Sequence, residues 1–209
     1  MSGKKLLLIG GGGHCLSVYD SVTGYDEIGV VEKDRESVKG SLLRVVGTDE
    51  DLPKLLKSGW KDAFITVGSI GDTALRRKLY GMVKKIGFHI PVIIDPSAIV
   101  GAGVKLGEGC FVGKKAVINA HCTIGNCAVI NTGAILEHEC RIGDFSHISP
   151  GTTLCGNVAV GDDTHIGAGT IIRQSLSVGS AAMVGIGSVV VKDIPESAKA
   201  YGNPCRVIK

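Results

Sequence analysis

VGAGVKLGEGCFVGKKAVINAHCTIGNCAVI, residues 100 to 130, places an aliphatic side chain at every sixth position: Val100, Leu106, Val112, Ile118, Ile124 and Ile130. The step continues without a slip through Leu136, Ile142, Ile148, Leu154, Val160, Ile166, Ile172, Val178, Val184 and Val190. Two residues before each ladder position the side chain is small or modest, as at Ala98, Cys110, Ala116, Cys122, Ala128, Ala134, Cys140, Ser146 and Thr152. Residues two apart on a strand face the same way, so both members of each pair point inward. Glycine recurs one residue after the ladder position, at 101, 107, 113, 125, 143, 161, 167, 179 and 185. There it is expected to turn a sharp corner through a positive φ. A six-residue repeat of this kind belongs to parallel β-helices. Three strands and three corners close a triangular coil of 18 residues, and the stretch from 100 to 190 supplies about five coils. Such coils stack ~4.8 Å apart.

The composition agrees. At 209 residues the chain can bury a real core in one or two domains. It is 44% hydrophobic yet only 4% aromatic, with 31 glycines, and a narrow prism has no room for rings. The net charge of +3 is mild, and no basic block with interleaved aromatics points to nucleic acid. The opening MSGKKLLLIGGGG is too short in its apolar run for a signal peptide or membrane span, so a soluble cytoplasmic protein is expected. Seven cysteines, at 15, 110, 122, 127, 140, 155 and 205, form no CxxC pair and are read as reduced, buried thiols. Of these, Cys110, Cys122, Cys140 and Cys127 fall on core or wall positions of the prism.

Before the prism, KKLLLIGGGGHCLSVYDSV reads as a strand, a glycine-rich turn and a helix starting near His14. Strand GVVEKD, helix DEDLPKLLKSG, strand DAFITVGS, helix GDTALRRKLYGMVKKIG and strand HIPVII follow. This alternation predicts a small parallel α/β sheet over 1–94, with DPSA at 95–98 opening the β-helix of 95–209. Backbone N–H groups at a glycine turn opening a helix suit a diphosphate, and Glu32 and Asp34 are placed to accept from a ribose or base. The dinucleotide fingerprint is incomplete: Gly10-x-Gly12 is followed by Cys15 where a third glycine belongs. A nicotinamide role and a turn without any ligand stay open beside the favoured nucleotide-linked ligand.

AILEHECRIGDFSHISPGTTLCGN, residues 134 to 157, then carries unusual chemistry for a wall. His147 and His165 are 18 apart and stack on successive coils, as do His121 and Glu139. His138 is out of the inward register and faces the exterior, and the corner glycine gives way to Glu137, Ser149 and Cys155. His165 and His121 read as solvated wall residues. A metal site from His138, His147 and Cys140 matches no familiar ligand spacing, and Cys140 points inward, so no metal is expected. Acid–base work fits better: His138 can take a proton, and Glu139 can orient the ring and stabilise the imidazolium. No Ser or Cys nucleophile stands next to it in the sequence, which favours direct transfer over a covalent acyl-enzyme.

At these residues the sequence resembles a known family. The ladder followed by IPESAKAYGNPCRVIK, with Gly202-Asn203-Pro204-Cys205-Arg206, is similar to the left-handed β-helix acyltransferases, and the handedness comes from that resemblance. Asn131-Thr132-Gly133, Glu137-His138-Glu139-Cys140, Ile142-Gly143, Phe145-Ser146-His147 and Gly156-Asn157-Val158 resemble the bacterial sugar acetyltransferases that join a Rossmann-like domain to such a helix. GGGGH at 10–14, VGS at 67–69 and LRRKLY at 75–80 extend the likeness over essentially the whole chain. That family includes N-acetyltransferases of nucleotide-linked 4-amino sugars and enzymes assigned as sialic acid O-acetyltransferases. The resemblance implies an acetyl-CoA-dependent enzyme with His138 as general base and Glu139 as its partner. It implies that Gly12, Gly13, His14, Glu32, Asp34, Gly68, Ser69 and Asn131 bind the nucleotide sugar. It sets His147, Gly156, Ala168 and Gly185 against acetyl-CoA, with the Gly156 N–H on the thioester oxygen. It also implies a homotrimer with sites between prisms. Two other functions remain beside amine acetylation: O-acetylation of sialic acid, and a non-enzymatic β-helix scaffold that senses a nucleotide.

Overall fold

A computed structural model describes residues 3–34, 36, 38 and 43–208. The chain forms two compact units, one running to Ser69 together with Ala74–Ile93, the other comprising Ile70–Thr73 and the chain from Ile94 onward.

The first unit is built on a parallel sheet of β1 (Lys5–Ile9), β2 (Glu27–Val31), β3 (Val45–Gly47) and β4 (Asp62–Ile65), in the order β3-β2-β1-β4. Leu6, Leu7, Leu8 and Ile9 are all buried, as a central strand covered on both faces requires. Around it lie α1 (Gly13–Tyr19), α2 (Leu52–Lys57) and α3 (Ala74–Ile86). Asp51 and Thr48 cap each other in a single 3-10 turn just before α2, and Pro53 sits in its first turn. Helix α3 buries Arg76, Leu79 and Val83, one face of a 3.6-residue period, and stops where Gly87 turns back with φ of 102°. Two sequence expectations change. The short β3 was not expected. HIPVII supplies no strand to this sheet: β5 covers only Ile93–Ile94, and His89 makes an isolated bridge to Asp62. Pro91 lacks the N–H a ladder needs.

The second unit is a left-handed parallel β-helix. Sixteen two-residue strands run from β6 (Ile99–Val100) to β21 (Val189–Val190) in an unbroken series. Until the last coil, each pairs in parallel with the strand 18 residues on, as Ile130 does with Ile148 and Leu136 with Leu154. Three faces result. The first carries Val112, Ile130, Ile148, Ile166 and Val184 inward, the second Val100, Ile118, Leu136, Leu154, Ile172 and Val190, and the third Leu106, Ile124, Ile142, Val160 and Val178. All but Val100 and Leu106, on the first coil, are buried. The small inward residues donate to corner carbonyls 15 residues on, as from Ser146 Oγ to Gly161 (2.6 Å) and from Cys110 Sγ to Gly125 (2.8 Å). A buried thiol thus serves where a hydroxyl would. All seven cysteines are free thiols, six buried and Cys155 half-buried.

The corner glycines have a different cause from the one expected. Positive φ, between 53° and 71°, falls three residues after the ladder position, at Lys115, His121, Glu139, Asn157 and their equivalents. The glycines one residue after the ladder position are needed for close approach between coils. A Cβ at Gly143 would stand 2.5 Å from the Asp162 nitrogen, and one at Gly125 would stand 2.6 Å from the Asp144 nitrogen. The strand Lys199–Gly202 continues the first face beyond Met183–Val184 and pairs antiparallel with Cys205–Ile208. Among the described residues no helix is long and apolar enough to cross a membrane.

Candidate active site

The edge after the second face carries the exposed imidazole. Glu139 takes the positive φ of its corner, 63°, which turns its carboxylate back along the chain so that Oε2 lies 3.0 Å from His138 Nδ1. Both side chains are 62% exposed, so the expectation of an outward-facing ring holds. With Nδ1–H donating to Glu139, the neutral ring keeps its lone pair on Nε2. One coil on, Gly156 lies beneath the ring, and a Cβ there would stand 2.6 Å from Nε2. A cavity of about 430 Å³ opens on this edge, lined by His138, Glu139, Cys155, Gly156, Asn157, Gln174 and Ser175.

Two edges of the prism treat their backbone differently. After the third face, each corner N–H is capped by a side chain from the next coil: Glu108 N–H by Asn126, Asn126 N–H by Asp144, and Asp144 N–H by Asp162. The equivalent positions on the His138 edge are His138, Gly156 and Gln174, and Gly156 has no side chain to offer. Among the described residues the Gly156 N–H donates to nothing, whereas Cys155 and Asn157 on either side donate to Ile172 and His138. Asn157 is fixed between Arg141 Nη1 (3.0 Å) and Ser175 Oγ (3.4 Å). The edge therefore presents a base lone pair and an uncommitted amide donor together.

Asn131, His147, Ala168 and Gly185 do not join this cluster within one chain. Asn131, Ala168 and Gly185 lie on the edge after the first face, and His147 points outward from that face. Asn131 Nδ2 is 3.1 Å from His147 Nε2. His147 and His165 pair across coils as the 18-residue map required, their rings T-shaped at 5.1 Å. His165 is not the solvated wall residue expected: it is 9% exposed, its Nδ1 is buried without a partner, and burial lowers its pKa below the ordinary 6.5. His121 does stand exposed.

In the first unit, the turn after β1 gathers most of the expected nucleotide residues at the carboxyl ends of the parallel strands. Gly12 precedes the first turn of α1, and neither Gly12 nor Gly13 has any atom where a Cβ would point, so this surface is open. His14 Cβ is 3.8 Å from the Cβ position of Gly68. Glu32 Oε2 accepts the Gly11 N–H at 2.9 Å, which ties the end of β2 to the turn. Asp34 instead caps its own loop through the Glu36 N–H at 3.0 Å. Ser69 lies 3.5 Å from Arg76 Nη1. Cys15, at the third position of the glycine fingerprint, is fully buried under the turn, and its thiol pKa is pushed up to about 11 by that burial.

Among the described residues no three His, Cys, Asp or Glu side chains cluster to hold a metal ion. The sequence reading missed Cys155, Gln174 and Ser175. The 18-residue step would have found them: 137 leads to 155, 138 to 156 and 174, and 139 to 157 and 175. The sequence reading expected no Ser or Cys nucleophile beside His138 in the sequence; through the coil, Cys155 lines the same cavity.

Comparison with known proteins adds to this geometry. Residues 5–83 match the PglD N-terminal domain, and residues 139–174 match the bacterial transferase hexapeptide (six repeats). PerB from Caulobacter crescentus, solved in complex with CoA and GDP-perosamine, is 37% identical over the whole of both chains, with a TM-score of 0.91. The acetyltransferase domain of PglB from Neisseria gonorrhoeae, in complex with acetyl coenzyme A, is 33% identical over 99% of this chain and 100% of that one, with a TM-score of 0.90. No curated protein sequence matches the chain significantly.

Proposed function

The chain belongs to the bacterial hexapeptide-repeat sugar acetyltransferases, and from that premise we propose that it transfers an acetyl group from acetyl-CoA to the 4-amino group of a nucleotide-diphosphate-linked amino sugar. The observation that carries the reading is the His138 imidazole, exposed, oriented by Glu139 and seated over Gly156 in a cavity. His138 Nε2 accepts the proton lost by the attacking amine and returns it to the departing sulfur. Glu139 holds the ring in the tautomer that leaves Nε2 bare and stabilises the cation formed in between. The Gly156 N–H faces the oxygen on which charge develops, a contribution of ~3 kcal/mol for one fixed donor. The turn at Gly12, Gly13 and His14, with Glu32, holds the nucleotide; Asp34 and Ser69 border it.

Transfer is direct. Cys155 shares the cavity, but among the described residues no hydrogen bond joins its thiol to His138, and a nucleophile needs its base within reach.

The enzyme acts as a homotrimer. The second face lies between the edge that bears His138 and the edge that bears Asn131, Ala168 and Gly185. Its outward side is aliphatic except for Thr153: Ile99 and Ile171 are exposed, and Val117, Ile135 and Val189 are half-buried. The third face shows Lys105, Thr123, Arg141 and Ser177, with Ala159 among them. Three copies packed with their second faces around one axis bring each His138 edge against a neighbour's Asn131 edge and cover the apolar stripe. A monomeric mass in sedimentation at micromolar concentration would count directly against this. Supply of acetyl-CoA puts the reaction in the cytoplasm.

The test is release of CoA thiol with GDP- and UDP-linked 4-amino sugars and with sialic acids, side by side. Release with an amino-sugar nucleotide is expected. Release with sialic acid alone would make it an O-acetyltransferase, and tight nucleotide binding with no release on any acceptor would make it a scaffold.

A further inference from the structure

We propose that Thr73 and Asp163 are positioning residues: their hydrogen bond straps the segment Ile70–Thr73 to the β-helix and so fixes the two residues before it, Gly68 and Ser69, for the nucleotide sugar. Between β4 and α3 the chain changes unit twice. It runs with the first unit to Ser69, with the second from Ile70 to Thr73, and with the first again from Ala74. Two contacts hold the short segment to the β-helix. Thr73 Oγ1 donates to Asp163 Oδ1, and the Met183 methyl occupies the place that a Cβ at Gly71 would take. Gly71 has a φ of 75°, in the left-handed region, so glycine serves both the turn and the approach.

The Asp163 carboxylate has no part in building its own corner. Cys127, Phe145 and Ala181 hold the equivalent corners of other coils with φ between 53° and 58°, against 57° at Asp163. All four N–H groups donate to the carbonyl 19 residues back, as Asp163 does to Asp144 and Ala181 to Asp162. A half-buried charge that the corner does not need is accounted for by what it binds, a hydroxyl from 90 residues away in the chain. A hydrogen bond to a charged group biases a local equilibrium by ~10-fold or more. Losing it lowers the fraction of molecules with Gly68 and Ser69 in place, and the apparent affinity for the nucleotide sugar falls by that fraction. This consequence rests on the nucleotide-sugar reading of Gly68 and Ser69; the strap does not.

The test uses the full-length protein labelled with 13C-methyl methionine. The sequence has three methionines, and the Met183 signal is assigned by its absence in Met183→Leu. Wild type should show a nuclear Overhauser contact between the Met183 methyl and the Gly71 Hα protons. Thr73→Val should lose it, and so should Asp163→Ala, which leaves the corner as Ala181 has it. Thr73→Ser keeps the hydroxyl and should keep the contact. In CoA release with GDP- and UDP-linked 4-amino sugars, Thr73→Val should raise KM for the sugar nucleotide ~10-fold, with kcat and the KM for acetyl-CoA within about twofold of wild type. The double variant should lose no more than Asp163→Ala alone; a further loss overturns the shared bond. An absent contact in wild type, or an unchanged one in Thr73→Val, overturns the strap. A lost contact with unchanged KM, or a fall in kcat as large as the rise in KM, overturns the positioning role. Asp163→Ala decides the same points if Thr73→Val does not fold. If no sugar nucleotide is turned over, the acetyl-transfer reading fails, and titrations with GDP and UDP decide the positioning role instead. A Kd weakened ~10-fold in Thr73→Val upholds it, and an equal Kd, or no binding to wild type, overturns it. The methionine spectrum decides the strap in every case, so failure of the functional reading is told apart from failure of this one.

Discussion

Replacing Gly156 by alanine should disable the enzyme while leaving the fold intact. The added Cβ would stand 2.6 Å from His138 Nε2 and 2.7 Å from Cε1. Ordinary van der Waals contact begins at 3.4 Å, so the ring must retreat by at least 0.8 Å (3.4 − 2.6). It can do so easily, because it is 62% exposed and, among the described residues, is held by the Glu139 hydrogen bond alone. Gly156 has no positive φ, so alanine brings no backbone strain, and it removes some freedom from the unfolded chain. Stability should therefore change by only ~0.5 kcal/mol, in either direction. Misplacing a reacting group by about 1 Å costs ~10²-fold, about 2.7 kcal/mol of barrier. We predict that drop in kcat, read by thiol release, with Tm unchanged in calorimetry. Because both residues act through one imidazole, the loss should vanish in a His138→Ala background, itself down ~10²–10⁴-fold. Wild-type turnover in Gly156→Ala would refute the reasoning. So would full additivity in the double variant, which would mean that the glycine acts on the acyl donor and not through the ring.

Glu139→Gln keeps a hydrogen-bonding group beside His138 Nδ1 but loses the charge that stabilises the imidazolium, so kcat should fall ~10-fold, less than for His138→Ala; a loss equal to that of His138→Ala would make Glu139 the base. Cys155→Ala should retain turnover within about threefold, and loss on the general-base scale would indicate a covalent acyl-enzyme. Gly143→Ala should destabilise by about 1–3 kcal/mol, a fall in Tm of roughly 3–10 °C, because its Cβ meets the backbone of Asp162; an unchanged Tm would show that the coils can part. His165 has a depressed pKa in the fold, so its contribution to stability is full above the ordinary 6.5 and is lost as pH falls through the folded value. His165→Gln should therefore lose less Tm than wild type between about pH 7.5 and pH 5, and parallel curves would show that His165 is not protected from protonation.

The β-helix was legible in the sequence because one period governs it. Every ladder residue from Val112 onward is buried, and until the last coil every strand pairs at the 18-residue step. Period alone did not separate two demands made on small residues. Positive φ falls at Glu139, Asn157 and their equivalents, while the glycines at 125 and 143 answer to close contact between coils, which involves a residue 19 positions away. The His138–Glu139 pair could be read from adjacency, since one corner turns both side chains together. The burial of His165 could not, because its outward position on the strand says nothing of what packs over it. HIPVII misleads because its β-branched residues read as a strand of the α/β sheet although Pro91 breaks their ladder. Cys155 was overlooked for a simpler reason: it is distant from His138 along the chain and close only through the coil.

Since the inward residues and the close-contact glycines fix the column, the remaining edge positions are free to vary, one rung at a time, at little thermodynamic cost. Duplicating or deleting one 18-residue segment would return the chain to the same point of the triangle, so the helix could lengthen or shorten without disturbing the rungs above and below. New reactivity in such a protein can thus be written into its margins while the interior text stays unchanged.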